Sequence, residues 1–122
     1  MVKISAVVIT KNEEKNIAQC LQSLKNVVDE IVVVDSLSTD STEAICLSFG
    51  VRYIKQEWLG YGQQKNFGNI KASYDYILSL DADEVLSPEL QKAILEIKSG
   101  WAHDAYSFNR LNMYCGYPIK HC

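Results

Sequence analysis

Apolar positions along this chain fall into two alternating kinds of run. Ile4 to Ile9 is an apolar run bounded by Lys3 and Thr10, as in a strand covered on both faces. Ile17, Cys20, Leu21 and Leu24 then recur at three- and four-residue spacing, the stripe of an amphipathic helix that Asn12 is placed to cap. "EIVVVD", ending at Asp35, predicts a second buried strand. Asp40 with Glu43 three residues on has the form of a capping box, ahead of a helix through Ala44, Ile45 and Leu47 to a Gly50 stop. "VRYI" reads as a third strand, about Gln63 to Ala72 as a helix, and Tyr76 to Leu80 as a fourth strand. Ser87 and Pro88 open a helix to Ser99 with Leu90, Ile94 and Ile97 inward, and a strand near Ala105 to Leu111 follows. Strands that alternate with helices throughout require crossovers, so the fold class is α/β with a mostly parallel sheet and flanking helices.

Composition narrows the partners more than the fold. The 122 residues form one domain, 1–122, with 48% hydrophobic content and a net charge of -3, enough chain to bury roughly two-thirds of its unfolded surface. Without a run of Lys or Arg it has no electrostatic footprint for nucleic acid. The longest apolar runs fall far short of the roughly 18 residues a membrane-spanning helix needs, and the N-terminus does not read as a signal peptide. A cytoplasmic protein is the expectation. Cys20 and Cys46 occupy apolar helical positions and read as buried free thiols. Cys115, His121 and Cys122 are too irregularly spaced to argue for zinc, and His103 reads as a solvated loop residue.

The chemistry-bearing residues concentrate at strand ends. In "YDYILSLDADEVLSPEL", Asp81, Asp83 and Glu84 directly follow an apolar run. Clustered carboxylates repel unless a cation, a proton or open water relieves them. Parallel strands point the same way, so Thr10 and Lys11, Asp35, and Asp81 and Asp83 should gather along the carboxyl edge of the sheet, where open α/β folds bind ligands. No Gly-x-Gly-x-x-Gly follows the first strand and no Gly-Lys-Ser/Thr loop is present, which excludes an ordinary dinucleotide or P-loop site. Hard carboxylate oxygens suit Mg2+ or Mn2+, held by one or two protein ligands with water and a diphosphate completing the shell. In an extended segment Asp81 and Asp83 share a direction while Ala82 points away.

"AVVITKNEEKNIAQCLQSL", "DEIVVVDSLSTDST", "GYGQQKNFG" and "ILSLDADEVLSPEL" together resemble the N-terminal half of a family 2 inverting glycosyltransferase of the GT-A, Rossmann-like fold. The likeness is greatest to the lipopolysaccharide-core β-glucosyltransferases. The resemblance implies that Thr10, Asn12 and Glu13 border a nucleotide pocket, that Asp35 contacts uracil or ribose, and that Lys65 and Asn66 lie along the nucleotide or sugar. It further implies that Asp81 lies near ribose and sugar and that Asp83 binds Mg2+ or Mn2+ beneath the diphosphate. The implied partners are a UDP-sugar donor and a saccharide or glycolipid acceptor, in lipopolysaccharide or other envelope-glycan synthesis, with peripheral association at the inner face of the membrane.

Other readings stay open on the residues alone. Apolar strand, Asp-x-Asp-x-Val also describes haloacid-dehalogenase-like phosphatases, in which Asp81 would be the nucleophile; a nucleotide-sugar-binding module without catalysis is a third. Lys65 and Asn66 could be an exposed helix face, Trp58, Tyr61 and Phe67 either core or a stacking surface, and Glu84 a ligand or a helix-start residue. Two departures from the family pattern are visible. Leu37 stands where the family usually has glycine, so a loop needing positive φ there would be strained by on the order of 1 kcal/mol. The family's general base also falls downstream of the segment "FNRLNMYCGYPIKH", so the expectation is a base beyond Cys122 and a domain truncated on its C-terminal side.

Overall fold

The sheet grows outward from its most apolar strand. In the computed structural model, which describes residues 3–98 and 111–114, β1 (Ile4–Thr10) is buried at all 7 positions. Parallel neighbours β2 (Glu30–Asp35) and β4 (Tyr76–Asp81) lie on its two sides. β3 (Arg52–Lys55) flanks β2 and β5 (Leu111–Tyr114) flanks β4, giving the order β3-β2-β1-β4-β5 with every pairing parallel. Helices cover both faces, which is why the central strands are apolar on both. Ile4, Ala6 and Val8 pack with α1 (Ile17–Leu24), with Cys46 of α2 (Thr42–Ser48) and with Ile94 of α4 (Pro88–Lys98). Val7, Val32, Val34 and Ile77 point the other way, toward Phe67 of α3 (Tyr61–Lys71) and Ala72 just past it.

The α/β expectation holds, as do the stripe of α1, whose Ile17, Cys20, Leu21 and Leu24 are fully buried, and the buried thiols Cys20 and Cys46. Burial, with nearby carboxylates adding to it, pushes the Cys46 thiol up to about 12 and raises Cys20 as well. Three details differ. Asn12 does not cap α1, which has Asn16 at its N-cap; Asn12 sits at φ 51 in the preceding loop, its side chain spent on a neighbouring loop. Glu43 does not complete a capping box but pairs with Lys55 at 3.2 Å, while Asp40 Oδ1 alone accepts the Thr42 N–H at 2.9 Å. α3 starts at Tyr61, two residues early, and β5 starts where the expected strand ends. Residues 105–110, the Ile97 side chain, His103, Cys115, His121 and Cys122 lie outside the described residues. Among the described residues no helix is long and apolar enough to cross a membrane.

Candidate functional site at the carboxyl edge

Strand order reverses between β1 and β4, and a cleft of about 270 Å³ opens above that switch point. Thr10, Lys11 and Glu13 line it from the end of β1 and the loop after it, Asp81 to Asp83 from the end of β4 and the turn after it, and Trp58 and Tyr61 from the start of α3 and the segment before it. Two other concavities, at the foot of the sheet beside Glu30 and Arg52 and between α1 and α4 beside Gln22 and Gln91, lack this convergence. In the first, Glu30 is paired with Arg52 and Asp29 with Lys98.

The floor of the cleft is the turn after β4. β4 ends at Asp81, and Asp83 follows in a tight turn rather than an extended segment, closed by the Glu84 N–H donating to the Asp81 carbonyl at 2.9 Å. Ala82 points into the core, as its small size suggested, and its N–H reaches the Ile9 carbonyl at 3.1 Å. Glu84 is the residue whose role the sequence did not reveal. It is buried, and its Oε1 accepts the Asp81 N–H at 2.7 Å, so it clamps the turn from below. Burial raises its pKa, the Asp81 and Asp83 charges add to that, and the Asp81 N–H and Lys65 oppose it.

Asp81 is held from the α3 side. Its Oδ2 accepts a hydrogen bond from the Tyr61 hydroxyl. Its Oδ1 is buried with no hydrogen-bond partner; Lys65 Nζ stands 4.0 Å away, an ion pair too long to be a hydrogen bond. Gly68 makes this placement of α3 possible. A Cβ there would lie 2.4 Å from Val7 Cγ1 and 3.1 Å from Val34 Cγ2, so only glycine lets the helix settle against the sheet and bring Lys65 to the edge. Asn66, the next residue, is exposed and is not among the residues lining the cleft.

The opposite wall comes from two interlocked loops. The Asn12 N–H donates to Ser38 Oγ at 2.7 Å and Asn12 Oδ1 accepts the Thr39 N–H at 2.8 Å. The Glu13 N–H donates to Thr42 Oγ1 at 2.9 Å, and Glu14 Oε1 accepts the Ser41 N–H at 2.9 Å. Asp35 organises this lattice but does not face the cleft. It is 0% exposed, accepts from the Ser38 N–H at 3.2 Å, the Ser38 hydroxyl and the Tyr53 hydroxyl, and lies on the α2 face of the sheet beside Tyr53. The expected convergence of Asp35 with Asp81 is therefore one of edge, not of pocket: alternation turns the two carboxylates to opposite faces. Thr10 does reach the cleft, and its buried Oγ1 has no hydrogen-bond partner. Leu37 takes φ 61, the positive φ at which a leucine is strained.

Among the described residues no group of three or more His, Cys, Asp or Glu forms a preassembled metal cage. The donor set suits a hard divalent cation bound through one protein carboxylate and completed by ligand and water. Asp81 and Asp83 both line the cleft, with Lys65 Nζ 4.0 Å from Asp81 Oδ1.

Glycosyl transferase family 2 matches residues 5–120. An uncharacterised glycosyltransferase of Rickettsia felis is 50% identical over 106 residues, covering 87% of this chain and 38% of the relative. The lipopolysaccharide core biosynthesis glycosyltransferase LpsC of Rhizobium meliloti is 36% identical over 99 residues, covering 77% of this chain and 36% of LpsC. The chain thus spans little more than a third of the length of these relatives. Glucosyl-3-phosphoglycerate synthase of Mycobacterium tuberculosis, solved with Mn2+, UDP and glucosyl-3-phosphoglycerate, superposes with a TM-score of 0.62 at 28% identity, over 69% of this chain and 34% of the synthase. S. aureus TarS 1–349 with UDP-GlcNAc gives 0.66 at 26% identity, over 86% of this chain and 32% of TarS.

Proposed function

The chain belongs to glycosyl transferase family 2, and from that premise we propose that it is the donor-binding part of a glycosyltransferase that uses a UDP-sugar and a divalent metal. The observation that carries the proposal is the Asp81–Asp83 turn at the switch point of the sheet, facing a cleft with an unpartnered Thr10 hydroxyl. Solved relatives of the same fold hold UDP, a UDP-sugar and Mn2+, which supports a uridine nucleotide here. The single nucleotide-sugar-binding domain, 1–122, is part of the same proposal.

In this reading Thr10, Glu13 and the loop around Asn12 border the nucleoside. Asp35 acts through that loop by fixing Ser38, not by a free oxygen of its own. Lys65 brings positive charge toward diphosphate and sugar, Asp81 accepts from sugar or ribose hydroxyls, and Asp83 holds Mg2+ or Mn2+. The metal would supply charge neutralisation for the departing diphosphate, a contribution of several kcal/mol. Displacement at the anomeric carbon with inversion hands the sugar to a saccharide or glycolipid acceptor. The LpsC relative supports an envelope glycan such as lipopolysaccharide as the product, made in the cytoplasm at the inner face of the membrane. A phosphatase role for Asp81 has no such support.

Nucleotide selectivity tests the reading. UDP in Mn2+ should raise the melting temperature of the chain, and ADP and GDP should not; a larger shift with a purine nucleotide would remove the uridine assignment.

A further inference from the structure

The segment from Gln56 to Tyr61 spends its aromatic residues unusually. Trp58 and Tyr61 are 51% and 52% exposed, although large rings contribute most to a fold when buried. They are nevertheless held. Gln64, which is 0% exposed, accepts the Leu59 N–H at 3.1 Å and donates to the Gln56 carbonyl at 3.2 Å, so one buried amide clamps the loop at two points. Gly60 at φ 103 supplies a turn that side-chain-bearing residues rarely adopt and starts α3 at Tyr61. The two rings lie 6.4 Å apart at 54°, and the Lys65 ammonium stands 4.8 Å from the Tyr61 ring centre. The Tyr61 hydroxyl donates to Asp81.

Two half-exposed rings thus stand on the wall of the same cleft as Asp81 and Asp83, with the Asp81 carboxylate at the Tyr61 hydroxyl and the Lys65 ammonium over the Tyr61 ring. We propose that Trp58 and Tyr61 form a stacking ledge for the hexose of the nucleotide-sugar, and that Tyr61 helps to decide which hexose is accepted. This rests on the donor-binding reading above. A pyranose presents an apolar C–H face, which suits an aromatic ring, and a rim of hydroxyls, which suits an acceptor and a donor side by side. Asp81 and Lys65 are such a pair. The Tyr61 hydroxyl sets the Asp81 carboxylate, and so governs which hydroxyl stereochemistry that carboxylate can meet.

Titration calorimetry of the 122-residue chain in Mn2+, with UDP and separately with UDP-glucose and UDP-galactose, tests the ledge. Trp58→Ala should weaken UDP-hexose binding roughly three- to ten-fold and leave UDP within about two-fold, with Trp58→Phe restoring most of the loss. Tyr61→Phe keeps the ring and should change the glucose-to-galactose preference while sparing UDP. Circular dichroism and melting temperature check that the variants fold. Equal losses for UDP and UDP-hexose, or no loss for either, would overturn the ledge and leave the donor reading standing. A wild-type chain that binds neither UDP nor UDP-hexose would overturn both.

Discussion

Two single residues show how far side-chain chemistry alone carries. Leu37 occupies φ 61 with half its surface exposed, so its backbone strain is offset by little packing. Leu37→Gly should therefore stabilise the fold, by up to about 1 kcal/mol, read as a higher urea midpoint. Asp35 is the reverse case, a fully buried carboxylate whose acceptors are used by Ser38 and Tyr53. Asp35→Ala leaves those donors unsatisfied and should cost ~1–3 kcal/mol, measured by chemical denaturation, and weaken nucleotide binding through the loosened loops. The sequence placed Asp35 on the right edge and did not reveal its face. Strand-end position is legible in an apolar run, but which way the last residue turns depends on register and on Tyr53, eighteen residues away.

Between elements, one contact sets the geometry of the site and another ties the foot of the sheet. Gly68 lets α3 approach β1 and β2, and Gly68→Ala would force its Cβ against Val7. We expect a loss of about 1–3 kcal/mol from the overpacking together with weaker donor binding, because Lys65 and Tyr61 ride on the same helix. At the foot of the sheet Glu30 joins β1, β2, β3 and the turn between α3 and β4: it accepts from Ser5 at 2.7 Å, Arg52 at 2.8 Å, and the Ser73 N–H and hydroxyl, both at 2.8 Å. Burial alone would raise its pKa, but the Ser73, Ser5 and Arg52 hydrogen bonds outweigh it and lower the value to about 2 from an ordinary 4.5. A depressed carboxyl stabilises the fold fully above its unfolded pKa and loses that stability as pH falls through the folded one. Stability should thus drop between about pH 4.5 and 2, and the drop should shrink in Glu30→Gln when urea midpoints are compared across pH. None of this network was legible in the sequence, where Glu30 was only the first residue of a strand. Its partners Ser5 and Ser73 are ordinary polar residues brought together by strand order. The helices and strands up to α4 were legible because long apolar runs and i, i+3, i+4 stripes survive whatever the tertiary context does.

At the scale of the whole molecule, a parallel sheet with its order reversed between β1 and β4 gathers residues from three separate stretches at one cleft. The sequence anticipated most of that gathering, since Thr10, Glu13, Asp81 and Asp83 line the cleft and Lys65 stands beside Asp81. It missed Glu84 as the clamp of the acidic turn and Gln64 as the clamp of the aromatic loop, because a buried polar side chain carries no periodic signal. The central claim is that this edge binds a UDP-sugar through a metal at Asp83. Calorimetric titration of the chain with UDP-glucose in Mn2+ and again in excess chelator tests it most directly, with Asp83→Asn as a parallel sample. The account predicts binding in Mn2+ that falls at least roughly ten-fold in chelator and in Asp83→Asn, the loss of about 1.4 kcal/mol or more expected when a charge-neutralising contact to diphosphate goes. Equal affinity with and without metal, or an Asp83→Asn variant that binds like the wild type, would contradict it.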